Sequence, residues 1–464
     1  MNRREFLRTV AVPLAAGCSL LPAGDADAQA DGYRALVCLF LFGGNDGINS
    51  VPPVDGDGYS RYSSVRRGLA LPRGDIVQLD AFHGLHPALA PLKPIWDESR
   101  MALLFNVGPL SRPMTLAQYQ DWRARNDHSL VPDKLFSHSD QQILWESAGT
   151  ETVQLRGGWG GRLMEAVGGG RQAISFGGNS RFGAGRALQE LTLPGGPGST
   201  LELEGYWEGK QTSARRAALD ALLADAGTQL LHQHYARSQR DAIAKGSALG
   251  AILAQAPANG QPDAANPEIS AAFGHLAGAH AGPLCQQLYQ VAKFIKHRGV
   301  VGGSRHLFFV SLGGFDHHGD QLRQQAALLG QMGTGIAAFW NALKAIGAQD
   351  MATLFTESDF GRTFKPNASG GTDHAWGNQH FVIGGAVNGG RGFGRYPSLV
   401  VGGPDDAAVN QWEQQGRWIP GISVAQYAGR LIDWFNPGLV DKSAILPTLA
   451  AFAGDNQDLD FLRL

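Results

Sequence analysis

Three glycine-rich clusters, each ending in side chains that bind cations, stand behind short apolar runs: Gly43-Gly44-Asn45-Asp46-Gly47, Gly313-Gly314-Phe315-Asp316-His317-His318 and Gly371-Thr372-Asp373-His374. The runs before them, Ala35 to Phe42, His306 to Leu312 and, upstream of the third cluster, Met351 to Phe355, read as buried strands. In an open α/β sheet, ligands bind where the carboxyl ends of parallel strands meet their loops, so segments far apart in sequence can converge there. The pattern predicts one metal site assembled from three distant places.

Alternating strand and helix signals support that architecture. Further candidate strands are Met101 to Val107, Ala173 to Phe176, Phe381 to Ile383 and Leu399 to Val401. Their apolar residues are continuous, as expected of strands covered on both faces. Helical spacing runs over His86 to Glu98, Ser139 to Ser147, Leu322 to Ile346 and Val424 to Phe435. The expected fold is α/β with a mainly parallel sheet between helical layers. Residues Ser213 to Gln255, with Leu219, Leu222, Leu223, Leu230 and Leu231 at helical spacing, predict an inserted helical hairpin or cap. The polar stretch Ala256 to Pro267 follows as a loop.

The amino terminus is read separately. Arg3-Arg4 with Phe6-Leu7 precedes an apolar stretch from Thr9 to Pro22, and Ala28-Gln29-Ala30 offers a small-residue cleavage site. Residues 1–30 are therefore expected to be a twin-arginine signal peptide, and 31–464 the mature α/β domain with its insertion at 213–255. The apolar stretch is too short to remain as a membrane span. Export machinery is thus the one macromolecular partner implied, and the periplasm or the exterior the destination. Lipid attachment at Cys18, within Leu14-Ala15-Ala16-Gly17-Cys18, is the less favoured alternative. The formal net charge of −2 gives no reason to expect nucleic acid or an anionic membrane as a partner. Only Cys38 and Cys285 follow the leader, which argues against a disulfide framework, and Cys38 reads as a small hydrophobe inside a strand.

Each candidate ligand has a competing reading. Asp46 in its Asn-Asp-Gly setting is equally a turn former. Asp316 and His318 offer an oxygen and a nitrogen on the same side of an extended segment, with His317 as competitor facing the other way. Asp373 and His374 supply a second such pair. His380 is either a ligand or a packed residue at the start of a strand. Ser137, in Phe136-Ser137-His138-Ser139-Asp140-Gln141, reads as a nucleophile at a helix N-terminus, where free amides hold an anion, or as a simple cap, a role Ser139 also fits. Of the remaining histidines, His86, His128, His297 and His306 read as structural, and His138 is the one to watch.

Several motifs together resemble a single family: Leu41 to Asn49, Gly84-Leu85-His86-Pro87-Ala88-Leu89, Ser137-His138 followed by Gln141, Gly313 to His318 with Gln321, Ser358-Asp359-Phe360-Gly361-Arg362-Thr363, and Gly370 to His374. The chain is identified as a member of the bacterial domain of unknown function 1501 family. That family is exported, and its motifs occur here in order over nearly the whole mature chain.

The family in turn resembles the alkaline phosphatase and sulfatase superfamily, which implies a three-layer α/β/α sandwich. It also implies two divalent ions (zinc, or calcium, magnesium or manganese), held by Asp46, by Asp316 with His318, by Asp373 with His374, and finally by His380. Ser137 is implied as nucleophile and Arg362 as a contact to the transferred anion, although Arg362 equally reads as fixing a loop. Asp359 is expected to orient an imidazole ring of the site from behind. The spacings of Asp316 to His318 and of His374 to His380 are shorter than the superfamily pattern. No Cys-x-Pro-x-Arg or Ser-x-Pro-x-Arg run follows Asp46, which disfavours a formylglycine sulfatase. The implied activity is metal-dependent hydrolysis of a phosphate or sulfate ester, on a small molecule or a polymer; the alternative is a degenerate scaffold acting in binding or envelope assembly.

Overall fold

The central strand β1 (Arg34–Leu41) is buried along almost its full length, and no polar side chain interrupts it after Arg34. A computed structural model describes residues 32–125, 131–150, 157–168, 173–199, 201, 210–224, 229–258, 260–455 and 457–464. The leader expected at 1–30, with Cys18, lies outside them.

The sheet contains β1, β2 (Met101–Gly108), β3 (Ala173–Ser175), β4 (Leu191–Thr192), β5 (Arg305–Leu312), β6 (Ala352–Ser358), β7 (Asn378–Gly384), β8 (Arg391–Phe393) and β9 (Ile422–Ser423). The spatial order is β8-β2-β7-β6-β1-β5-β3-β4, with β9 also on β2. Strand β1 pairs in parallel with β5 and β6. Only β7 runs antiparallel to its neighbours β2 and β6. The sheet is mainly parallel, as expected.

Alternate residues of β1 separate two cores. Ala35, Val37, Leu39 and Leu41 face one layer, where helices Pro283–Lys296 and Gln321–Ala345 contribute Leu288, Phe294, Met332 and Phe339. Leu36, Cys38 and Phe40 face the other, built by helices His138–Ser147, Trp159–Val167 and Val424–Phe435 through Trp145, Trp159 and Tyr427. This is the expected three-layer sandwich, with both sheet faces removed from water. The last helix starts where its sequence says: Ser423 and Gln426 close a reciprocal capping box.

Residues Lys210–Ala224 and Leu230–Leu253 form two helices, where the spacing of leucines placed a hairpin. Leu399 to Val401 is not a strand. Leu399 has φ of +55°, outside the extended region, and Asp405 holds the Ser398 backbone N–H at 2.8 Å, so the segment turns. No helix among the described residues is long and apolar enough to cross a membrane.

Candidate metal centre

The loops after β1, β5 and β6 meet at the carboxyl edge of the parallel strands, and two glycines show how tightly. Gly43 has φ of +107°, and a Cβ there would lie 2.5 Å from the Asp316 amide nitrogen. A Cβ on Gly371 would lie 2.3 Å from the His318 carbonyl carbon. Backbone therefore occupies the space that any side chain would need. Thr372 N–H donates to the His317 carbonyl at 3.0 Å, locking the second and third clusters together.

Asp316 is the centre of what results. His318 Nε2 lies 2.9 Å from Asp316 Oδ1, His374 Nε2 3.2 Å from the same oxygen, and His138 Nε2 3.3 Å from Oδ2. His138, Asp316 and His374 each place a ligand atom within 4.8 Å of the others, an arrangement that could hold a metal ion.

The opposite ring nitrogens decide what those Nε2 atoms are. His138 Nδ1 lies 2.7 Å from Asp359 Oδ2, His318 Nδ1 3.1 Å from Asp373 Oδ1, and His374 Nδ1 2.7 Å from the Phe136 carbonyl oxygen. All three partners are acceptors, so each Nδ1 carries a hydrogen, and each Nε2 faces Asp316 either as a donor from a protonated ring or as a lone pair from a neutral one. His318 Nε2 and His374 Nε2 are 3.1 Å apart. In the neutral form of the rings, two lone pairs and a carboxylate this close repel, and a cation among them would remove that repulsion. Imidazoles anchored at one nitrogen by oxygen acceptors, with the other nitrogen convergent, are the usual supports of a bound cation. The residues present fit a divalent metal.

The neighbours of the carboxylate hold it in its ionised form. Burial works to raise the Asp316 carboxyl, but the Arg362 hydrogen bond and the positive charge of Arg362, His138 and His318 outweigh it and bring it down to about 2. The Asp359 hydrogen bond raises His138 against the opposing effect of burial. Burial lowers His374. Phe360 stacks on the His374 ring at 4.6 Å and fixes its plane.

Asp316, His318, Asp373 and His374 are thus brought together, although Asp373 reaches the centre only through His318. Asp46 is not part of it. Its carboxylate is buried in an ion pair with Arg66 at 2.5 Å and also accepts from Gln321. His380 is not part of it either: it is buried in β7 between Trp145 and Tyr427, and burial takes its pKa to about 3. Arg362, expected as an anion contact, is consumed internally. Its Nη1 donates to Asp316 at 2.7 Å and its Nε and Nη2 donate to Thr372, so it fixes a loop and aims a carboxylate. Ser137 occupies the cap position of helix His138–Ser147, and its hydroxyl donates to Asp140 at 2.6 Å. The residue assigned no role from sequence is His138; its signal was adjacency to Ser137 together with an acidic partner, Asp359, far along the chain.

The family described as "Protein of unknown function (DUF1501)" matches residues 33–407. The chain belongs to that family. The DUF1501 match spans every cluster described above. No curated protein matches the chain. Among solved structures, the chain is similar to Ps i-CgsB in complex with k-i-k-neocarrahexaose, at 9% identity and a TM-score of 0.32, covering 87% of this chain and 77% of that one. It is also similar to BT1596, a 2-O GAG sulfatase, at 13% identity and a TM-score of 0.24, covering 77% and 65%. The account of this DUF1501 chain therefore rests on its own geometry.

Proposed function

We propose that this protein is an exported, metal-dependent hydrolase of phosphate or sulfate esters. The observation that carries the proposal is the convergence of three imidazole Nε2 atoms, each anchored behind by an oxygen acceptor, on the single carboxylate of Asp316. His138, Asp316, His318 and His374 would hold the ion. When bound, a divalent cation there supplies charge stabilisation for an anionic ester at the open face of the site.

The chain's own groups do the rest. Asp359, Asp373 and the Phe136 carbonyl hold the three rings in their metal-ready tautomer. Arg362 pins Asp316 from the protein side. Ser137 is the nucleophile in this reading: its hydroxyl stands at a helix N-terminus, its oxygen bonds to the phosphorus or sulfur as the ester P–O or S–O bond to the alcohol breaks, and Asp140, already its hydrogen-bond acceptor at 2.6 Å, takes its proton and passes it to the departing alkoxide; water then cleaves the seryl ester, releasing phosphate or sulfate and restoring the hydroxyl. Asp316, His318 and Asp373 are all partly open to solvent, which suits an ester carried on a polymer as well as on a small molecule.

A binding scaffold is the second reading, favoured by one observation: with Arg362 buried against Asp316, that arginine cannot also hold the substrate anion. The two separate in one experiment. Protein loaded with zinc is assayed against a panel of phosphate and sulfate esters, beside Ser137→Ala and Asp316→Ala. Hydrolysis lost in both variants, with metal lost only in Asp316→Ala, is the expected result; metal binding without turnover of any ester establishes the scaffold.

A further inference from the structure

The number of ions is a question that rests on this reading and goes beyond it. The superfamily resemblance implies two ions with Asp46 among their ligands, and the four donors around Asp46 leave it no capacity for that role. Its Oδ1 accepts from Arg66 Nη2 at 2.8 Å and from the Asn49 amide at 3.1 Å; its Oδ2 accepts from Arg66 Nη1 and Gln321 Nε2, each at 2.5 Å. An ionised carboxylate has about four lone-pair directions, and all are used. The bidentate fork is fully buried, with side-chain exposures of 0% for Arg66 and 1% for Asp46, so neither partner exchanges readily with a solvated ion. The guanidinium also lies 5.3 Å from the Phe364 ring centroid, which fills the space on that side.

This pair is joined to the metal centre by an unbroken series of hydrogen bonds. Gln321 donates to Asp46 and accepts from the Thr372 hydroxyl at 2.6 Å; Thr372 accepts from Arg362, and Arg362 donates to Asp316. A fixed positive charge, Arg66, thus stands at one end of a polar chain whose other end is the central carboxylate.

We propose that the protein binds one cation, not two, and that the Arg66 guanidinium permanently takes the place of the second. The donor set further assigns its class. Two imidazole nitrogens, of His138 and His374, and the Asp316 carboxylate, with His318 Nε2 beside them, suit zinc, cobalt or another borderline transition ion, whereas calcium and magnesium require shells of oxygen.

The test uses the full chain, stripped with a chelator and reloaded with zinc or cobalt alone. Elemental analysis should give one equivalent per chain, unchanged in Asp46→Asn and absent in His374→Ala. Cobalt should develop its visible absorption in a single phase that ends at one equivalent, and millimolar calcium or magnesium should leave that spectrum intact. Two equivalents in the parent protein, or loss of an ion in folded Asp46→Asn, overturns the inference and leaves the hydrolase reading standing. Displacement by calcium or magnesium overturns the assigned class. Should Asp46→Asn fail to fold, the cobalt titration of the parent chain decides alone. No bound ion at all ends both this inference and the reading beneath it.

Discussion

Asp359 Oδ2 stands 2.7 Å from His138 Nδ1 and also accepts from Gln142 at 2.9 Å, so a buried carboxylate at the end of β6 orients a ring at the start of a helix more than two hundred positions earlier. Removing its charge should weaken metal retention without dismantling the site. Asp359→Asn is expected to lower zinc affinity by roughly 10- to 100-fold. Competition with a chromophoric chelator measures it; an unchanged affinity would show that His138 is not a ligand.

Arg362 stabilises the ionised Asp316. In Arg362→Ala the Asp316 carboxyl should titrate well above about 2, towards the ordinary carboxylate range, because its main partner is gone. Loss of the buried guanidinium, which also satisfies Thr372, should cost about 2 kcal/mol in denaturant unfolding. Carbon-detected titration of the metal-free protein reads the first effect. A carboxyl still near 2 would mean that the histidines alone hold it down.

Gly43→Ala places a Cβ against the Asp316 backbone at a φ of +107°. The expected cost is about 2 kcal/mol. Metal affinity should fall with it, since the loop carrying Asp316 has to shift. A variant as stable as the parent, binding as tightly, would show that the two loops are not held at this separation.

Glu146 carries a pH dependence unrelated to the metal. Burial pushes its carboxyl up to about 7, against the opposing hydrogen bonds from the Phe182 and Arg181 amides. The folded state therefore holds a proton that the unfolded chain releases at an ordinary carboxylate pKa. This contribution to stability is full below about 4.5 and is lost as pH rises through about 7, with an upper limit on the order of 3 kcal/mol. Urea midpoints from pH 4.5 to 8 should decline more steeply in the parent than in Glu146→Gln. Parallel curves would assign the decline to other groups.

How much of this could be read from sequence depends on how local each signal was. Continuous apolar runs marked β1, β2, β5 and β6, because strands buried on both faces leave few polar residues. Asp316 and His318 do meet, but through turns and not through alternation in an extended segment: the His317 N–H donates to the Phe315 carbonyl at 2.8 Å and the His318 N–H to the Asp316 carbonyl at 3.2 Å, with His317 buried. Asp46 was misleading because its partner, Arg66, ends a neighbouring helix, and nothing in the local sequence says which cation a carboxylate will meet. His380 looked like a ligand because it follows Asp373 and His374 in the chain, but its strand carries it into the core. Short edge strands such as β8 and β9 left no periodic trace at all, and the apolar run at Leu399 was cancelled by a backbone turn.

The pairing of β1 with residues 305–312 and 352–358 has a consequence for how the polypeptide is made. The strand that emerges first from the ribosome has no sheet partners until most of the chain has been synthesised, so the hydrophobic segment 35–41 must wait, exposed to premature association. Assembly of the sheet is therefore a late event in synthesis.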